Sequence, residues 1–257
     1  DGMTLDDPDL LQHLPTLKPK MIRFPSAGCA NWWDWKKGWW VDSPYLPLSL
    51  SSITPSEFTL EKFQYMVNAT GATPIFVLNM ISSTLADQLA MLKHADSIGL
   101  PVKNVELGEE FYYAEESDST FIYMMYPTAQ YYGTVCTQWI DSIHHYFPQA
   151  KVCAQGSFNR NNNERRITWD ENMVQTLEGE DAISFHHYYS ASKSETQGAG
   201  DGLYTSSDIP EFLYRPFESW DVLADEDLPT VRPGREIWIT EYNLTDNSIP
   251  VHGTWGH

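Results

Sequence analysis

The sequence predicts a parallel α/β protein, and three observations carry that prediction. Short apolar runs that read as strands alternate with amphipathic stretches that read as helices, from residue 20 to residue 240. The strand runs recur at roughly 30–55 residues, which suits right-handed crossover connections in one sheet. At 42% hydrophobic and 14% aromatic, the 257 residues can build a substantial core. Both a closed barrel and an open doubly wound sheet fit this alternation. No GxGxxG or GxxxxGK[ST] follows a strand run, so a nucleotide site at a switch point has no support.

Taken in order, residues 9–13 form a short helix ahead of Pro15, and residues 20–24 a strand stopped by Pro25. Residues 26–40 follow as a loop of small residues and then five tryptophans within nine positions. Two readings stay open for it: a flat platform on which a ligand stacks, or an aromatic plug in the core. Residues 41–55 are a Pro- and Ser-rich loop. Thr59 is placed to cap a helix that ends near Gly71. Residues 73–79 are apolar and rich in β-branched and aromatic side chains, as a strand buried on both faces would be. A helix over 84–98 carries Leu85, Leu89, Leu92 and Ile98 on one stripe. Then come a strand over 103–107, a helix over 129–146 and a strand over 150–154. After a polar loop over 159–166, a short helix spans 169–176. A strand over 181–185 runs into His186, and a Ser/Gly-rich excursion covers 190–208. A helix over 211–224 and a strand over 236–240 complete the pattern, with no strand identified after residue 246.

Lys plus Arg number 16 against 35 Asp plus Glu, a formal net charge of −19. That disfavours nucleic acid and anionic membrane surfaces, which attract basic patches. No apolar run approaches the ~20 residues needed to span a bilayer. Three cysteines without CxxC spacing exclude a zinc ribbon and allow at most one disulfide. Buried thiols are the simpler expectation.

Chemistry-bearing residues concentrate where strands end: Arg23, Asn79, Glu109, Glu110, His186, Tyr188 and Glu241. In a barrel those ends share one face, the usual place for an active site. Glu109 and Glu110 lead into Phe111, Tyr112 and Tyr113, a setting that favours a carboxylic acid of raised pKa, although a solvated acidic turn is the plainer reading. Arg23 would keep a second carboxylate ionised. His186 and His187 are adjacent on a strand and so face opposite ways, which argues against a metal pair. No cofactor and no metal are expected.

Three segments together resemble a known group. Ile22-Arg-Phe-Pro-Ser-Ala-Gly28 with Ala30-Asn-Trp-Trp-Asp-Trp35 is similar to the R-[YF]-P-G-G…N-x-W-D-W segment of clan A (β/α)8 glycoside hydrolases, the arabinofuranosidase-like and glucuronidase-like families above all. Glu106-Leu-Gly-Glu-Glu-Phe111 resembles their E-[IL]-G-N-E-x, and Trp238-Ile-Thr-Glu-Tyr-Asn243 their W-x-T-E-[YF]-N. The resemblance implies a single TIM-barrel-type domain over residues 1–257 and a retaining two-carboxylate mechanism. It makes Glu110 the acid/base and Glu241 the nucleophile. It also implies that Arg23 orients Glu241, that His186 lines the pocket and that Tyr188 contacts the nucleophile. Trp32, Trp33 and Trp35 would shape sugar subsites, with Asn31 and Asn79 among the polar contacts. The expected partner is a polysaccharide or glycoside outside the cell, with no nucleic acid and no membrane span.

The sequence departs from that pattern in three places. Glu109 stands where the family carries Asn, and Ser26-Ala27 stand for Gly-Gly. The acid/base falls on the third visible strand and the nucleophile on the sixth, where the family has the fourth and seventh. The offset reads as a barrel lacking its first and last strands within this chain, completed either by flanking sequence of a longer protein or by another segment of a larger assembly. The alternative function is a non-catalytic relative that keeps the scaffold in a glycan-binding or structural assembly.

Overall fold

The computed structural model of the protein describes residues 4–25, 28–52, 57–113, 121–158, 163–190 and 209–245. Its strands are β1 (Met21–Phe24), β2 (Trp33–Asp34), β3 (Trp39–Trp40), β4 (Thr73–Leu78), β5 (Asn104–Leu107), β6 (Lys151–Gln155), β7 (Ala182–Ser190) and β8 (Glu236–Thr245). Its helices are α1 (Pro8–His13), α2 (Leu48–Ser51), α3 (Leu60–Thr70), α4 (Leu85–Ser97), α5 (Phe121–Met125), α6 (Ala129–Tyr146), α7 (Glu164–Met173) and α8 (Ile209–Glu226).

Local chemistry sets most helix starts. Thr59, Thr84, Thr128 and Asn163 each accept a backbone N–H three residues on, at the N-termini of α3, α4, α6 and α7. Each such cap is worth about 1 kcal/mol. Gly71, at φ 69°, ends α3 in the left-handed conformation that glycine adopts without strain. The Asn163 cap also corrects one expectation: α7 begins at Glu164, inside the segment expected as a loop, and ends at Met173. The segment 26–40 contains more than a loop, since Trp33 and Asp34 pair antiparallel with Trp40 and Trp39. The excursion over 191–208 and residues 246–257 lie outside the described residues.

Six strands form one parallel sheet in the order β1-β4-β5-β6-β7-β8. The order follows the chain without reversal, as in a barrel and unlike a doubly wound sheet. The sheet also curls: Arg23 on β1 and Glu241 on β8, at opposite ends of the strand order, form an ion pair. This is a six-stranded part of a (β/α)8 architecture. Phe76, Leu78, Val105, Leu107, Val152 and Ala154 face outwards against Phe63, Leu92, Tyr132, Cys136, Ile140 and Trp169 of the helices, in one fully buried cluster. Cys136 and Cys153 are buried thiols, not joined in a disulfide.

Two strand ends differ from expectation in a way that matters. β7 runs to Ser190 and β8 to Thr245, so His186, Tyr188 and Glu241 lie within paired strands. The β7–β8 register also slips. Phe185 pairs with Ile239 but His186 with Glu241, leaving Thr240 as an extra residue. A bulge of this kind re-aims side chains. Here it brings consecutive residues, Thr240 and Glu241, to the same interior: Thr240 Oγ1 donates to Glu106 and Glu241 pairs with Arg23.

Candidate active site at the C-terminal ends of the strands

Arg23 is the hub. Its Nε lies 2.5 Å from Glu106 Oε2, Nη1 pairs with Glu241 and Nη2 with Glu109. Glu106 is fully buried on β5, where it also accepts from Ser184 at 2.7 Å and Thr240 at 2.8 Å. It is thus a structural carboxylate that anchors the guanidinium. Sequence reasoning passed over it. The available signal was a charge in an apolar strand, at the inward position that alternates with Val105 and Leu107.

The turn after β5 presents the other two glutamates. Gly108 has φ 78° and an added Cβ would lie 2.5 Å from the Phe111 ring, so only glycine fits. Glu110 has φ 50°, a conformation disfavoured for a side-chain-bearing residue and found preferentially at functional sites. Its N–H donates to Gln155 Oε1, which holds the turn. Asn31 Nδ2 donates to the Glu109 carbonyl at 2.9 Å, and Arg165 Nη2 to the Phe111 carbonyl at 2.8 Å. Glu109 turns inwards and is 1% exposed, while Glu110 stays half-buried beside the Tyr112 hydroxyl, which donates to Oε1 at 3.1 Å.

His186 closes the constellation. Its Nδ1 lies 2.8 Å from Glu110 Oε1, 3.6 Å from Glu241 Oε2 and 3.8 Å from Glu109 Oε1. Its Nε2 lies 3.0 Å from Gln155 Nε2. Tyr188 donates to Glu241 Oε2 at 2.7 Å. As the alternation requires, His187 faces away, packed against Phe158 and Trp220. Glu109, Glu110, His186 and Glu241 each offer one atom within 4.8 Å of the others, a spacing that could surround a cation. Arg23 already supplies positive charge to two of them.

The carboxylates divide electrically. Burial opposes ionisation of Glu241, but the charges of His186 and Arg23 and the Tyr188 hydroxyl outweigh it and hold the group below the ordinary carboxylate range. Burial dominates at Glu109 and pushes it up to about 8 against the pull of Arg23 and His186. Counting charges gives the reason: Arg23 and His186 face four carboxyls, and Glu109 Oε1 is buried without a hydrogen-bond partner, which leaves room for a proton. The raised carboxyl is therefore Glu109. Burial also works against a charged His186, yet the surrounding glutamates, Glu110 foremost, hold its pKa above the ordinary histidine value.

Of the residues singled out from sequence, Arg23, Glu109, Glu110, His186, Tyr188 and Glu241 meet in this one cluster, with Asn31 behind it. The tryptophans do not join them. Trp32 and Trp33 are buried, Trp32 5.9 Å from the Phe121 ring and Trp33 edge-on to Phe24 at 5.0 Å, with its indole N–H on the Phe58 carbonyl. Trp35 donates to Asp87 at 3.2 Å and lies over His94. The core-plug reading holds for the first two, because Phe24, Phe58 and Phe121 supply the apolar surface they cover. Asn79 is buried as a turn-former, accepting from the Ile81 and Ser82 amides and donating to the Trp33 carbonyl. Besides Glu106, sequence reasoning missed Gln155.

No protein-family model matches the chain, and no curated protein matches it. Solved structures do. An α-L-arabinofuranosidase from Thermotoga maritima, seen as its arabinose complex, aligns at TM-score 0.62 and 20% identity, covering 94% of this chain and 50% of that one. The thermostable GH51 α-L-arabinofuranosidase from Thermotoga petrophila aligns at 0.63 and 21%, covering 93% and 49%. AbfB, a family 51 α-L-arabinofuranosidase from Bifidobacterium longum, aligns at 0.63 and 16%, covering 93% and 50%. The chain spans about half the length of these proteins. Its described residues form a six-stranded part of a (β/α)8 fold, and that fold is what it shares with these α-L-arabinofuranosidase structures.

Proposed function

We propose that this chain carries the catalytic centre of a retaining glycoside hydrolase. One observation carries the reading: Glu110 and Glu241 offer oxygens within 4.8 Å of each other at the C-terminal side of the sheet. Retaining enzymes place their two carboxyls about 5–5.5 Å apart and inverting ones about 6.5–9.5 Å. In this reading Glu241, kept ionised by Arg23 and Tyr188, attacks the anomeric carbon. Glu110 protonates the departing glycosidic oxygen as that bond breaks. Glu110 then takes a proton from water, whose oxygen displaces Glu241 and releases the sugar. Glu109, carrying its proton near neutral pH, presents an uncharged side chain where relatives carry Asn. The substrate is a glycan or glycoside and the reaction runs outside the cell.

The test is Glu241→Gln in the full-length protein, assayed with aryl glycosides. Turnover should fall by at least about 10³-fold, since a nucleophile is lost, while glycan binding persists. Full activity in the variant removes the assignment. A second reading, a glycan-binding scaffold without turnover, draws on the burial of Trp32 and Trp33, which leaves the pocket fewer stacking rings. It predicts a wild-type protein that binds glycan and hydrolyses none.

We also propose that further βα units of the same polypeptide close the ring between β1 and β8. Each of these strands has one sheet neighbour among the described residues. A cavity of about 540 Å³ opens at their N-terminal ends, lined by Met21, Ile75, Asn104, Lys151 and Trp238. Apolar side chains are exposed on the same side, with Met21 on one edge strand and Ile237 on the other. Hydrogen exchange on the full-length protein should show slowed amides along both β1 and β8. Fast exchange on both would remove this part of the proposal.

A further inference from the structure

Gln155 ends β6 and is 2% exposed. Its backbone is pinned on both sides: its N–H donates to the Tyr132 hydroxyl at 2.9 Å, and the Trp169 indole donates to its carbonyl at 3.0 Å. Its amide is also committed at both ends. Oε1 accepts the N–H of Glu110, and Nε2 lies 3.0 Å from His186 Nε2. A backbone N–H can only donate. The oxygen end of the amide must therefore face Glu110, and the NH₂ end must face His186. Reversing the amide would set its NH₂ against the Glu110 N–H.

The consequence passes to the imidazole. An NH₂ group can only donate, so His186 Nε2 must offer its lone pair. A second donor, Arg23 Nη2, faces the same nitrogen at 3.5 Å. Glu106 Oε1 lies 4.0 Å from Nε2, beyond hydrogen-bond reach. The ring proton accordingly sits on Nδ1, where Glu110 Oε1 accepts it at 2.8 Å. The same Oε1 accepts from Tyr112. Two donors occupy that oxygen, so a proton carried by Glu110 belongs on Oε2.

We infer that Gln155 is a positioning residue: whenever His186 is neutral, it fixes the ring as the Nδ1–H tautomer, so that Nδ1 donates to Glu110 Oε1 and the transferable proton of Glu110 sits on Oε2. The catalytic half of this inference rests on the glycosidase reading, and the tautomer half does not. Four carboxyls surround the ring (Glu106, Glu109, Glu110 and Glu241) and draw it towards the imidazolium. Against them stand the Gln155 amide and the Arg23 guanidinium, which leave a second proton without an acceptor.

The tautomer is read directly by long-range ¹H–¹⁵N NMR of histidine-labelled full-length protein, with His186 assigned by its loss in His186→Asn. On the basic side of its titration the wild-type ring should show one protonated nitrogen, Nδ1, and one lone-pair nitrogen, Nε2. Gln155→Glu replaces the NH₂ by an acceptor and should keep the ring doubly protonated to higher pH than in the wild type. A neutral wild-type ring protonated at Nε2 alone, or an even mixture of the two tautomers, overturns the inference whatever the variants do. The link to Glu110 is read from leaving groups. Gln155→Leu lets the neutral ring carry its proton on Nε2 and should lose about tenfold or more in kcat/KM on an alkyl glycoside, part of the roughly 10²–10⁴ that a general acid contributes. It should lose little on an aryl glycoside whose phenol departs without help. An equal loss on both overturns that link. A protein that hydrolyses no glycoside sinks the functional reading, yet the spectrum still decides the tautomer.

Discussion

Replacing Glu109 by Gln isolates the most unusual charge in the molecule. The side chain is 1% exposed, shares Arg23 with Glu106 and Glu241, and leaves Oε1 without a partner. Burial lifts its carboxyl from an ordinary 4.5 to about 8. The folded protein therefore holds a proton between about pH 4.5 and pH 8 that the unfolded chain releases, so this group makes stability fall as pH rises through that window and adds no further change above it. If Glu109 titrated alone, the fall would amount to at most about 5 kcal/mol. Glu241 responds to Arg23 and His186 in the opposite direction, which keeps the expected effect below that bound. Gln keeps the shape and the acceptor for Arg23 and cannot ionise. In urea titrations of the full-length protein, Glu109→Gln should lie close to the wild type near pH 5 and exceed it near pH 8, by no more than about 5 kcal/mol. Subtracting the wild type at each pH cancels the other titrating groups. A difference that stays flat, or that shrinks with rising pH, would refute the argument that the site has one carboxyl too many for its cations.

Other perturbations test the surrounding frame. Arg23→Met leaves Glu106, Glu109 and Glu241 without their shared cation and should cost about 3–5 kcal/mol in chemical denaturation. By contrast, removing the half-exposed Lys151 partner of Glu236 should change stability by less than about 1 kcal/mol. Gly108→Ala combines a left-handed φ with a Cβ 2.5 Å from the Phe111 ring. It should cost about 1–3 kcal/mol and lower activity with it, because the same turn carries Glu109 and Glu110. An unchanged melting temperature would show that the turn relaxes freely.

The sequence marked the fold well because each element announces itself locally. The capping residues Thr59, Thr84 and Thr128, the punctuating Gly71 and the apolar run 73–79 act within a few positions of where they stand. Their elements appear within two residues of expectation. The helix after Asn163 was misplaced because its cap sits in a polar stretch that reads as loop. The cluster was legible to the extent that charged and polar groups stand at strand ends, and Arg23, Glu110, His186, Tyr188 and Glu241, which meet in it, were singled out that way. The tryptophans stayed ambiguous because an aromatic ring serves core and ligand equally well. Only the neighbours Phe24, Phe58 and Phe121, distant in sequence, decide between the two.

What the sequence determined by itself is therefore the alternation of strand and helix, the parallel topology and the identity of two paired carboxylates. These follow from periodicity and from residue types that act over a few positions. The tertiary structure alone decided how the charges are shared. One guanidinium reaches three carboxylates from three different segments, and the bulge at Phe185/His186 turns both Thr240 and Glu241 inwards where strict alternation would separate them. The burial that protonates Glu109 and the obligate donor that aligns Gln155 with His186 likewise arise only when β1, β5, β6, β7 and β8 come together. Electrostatics in a buried site depends on distances across the sheet, and those distances are not written in any one stretch of chain.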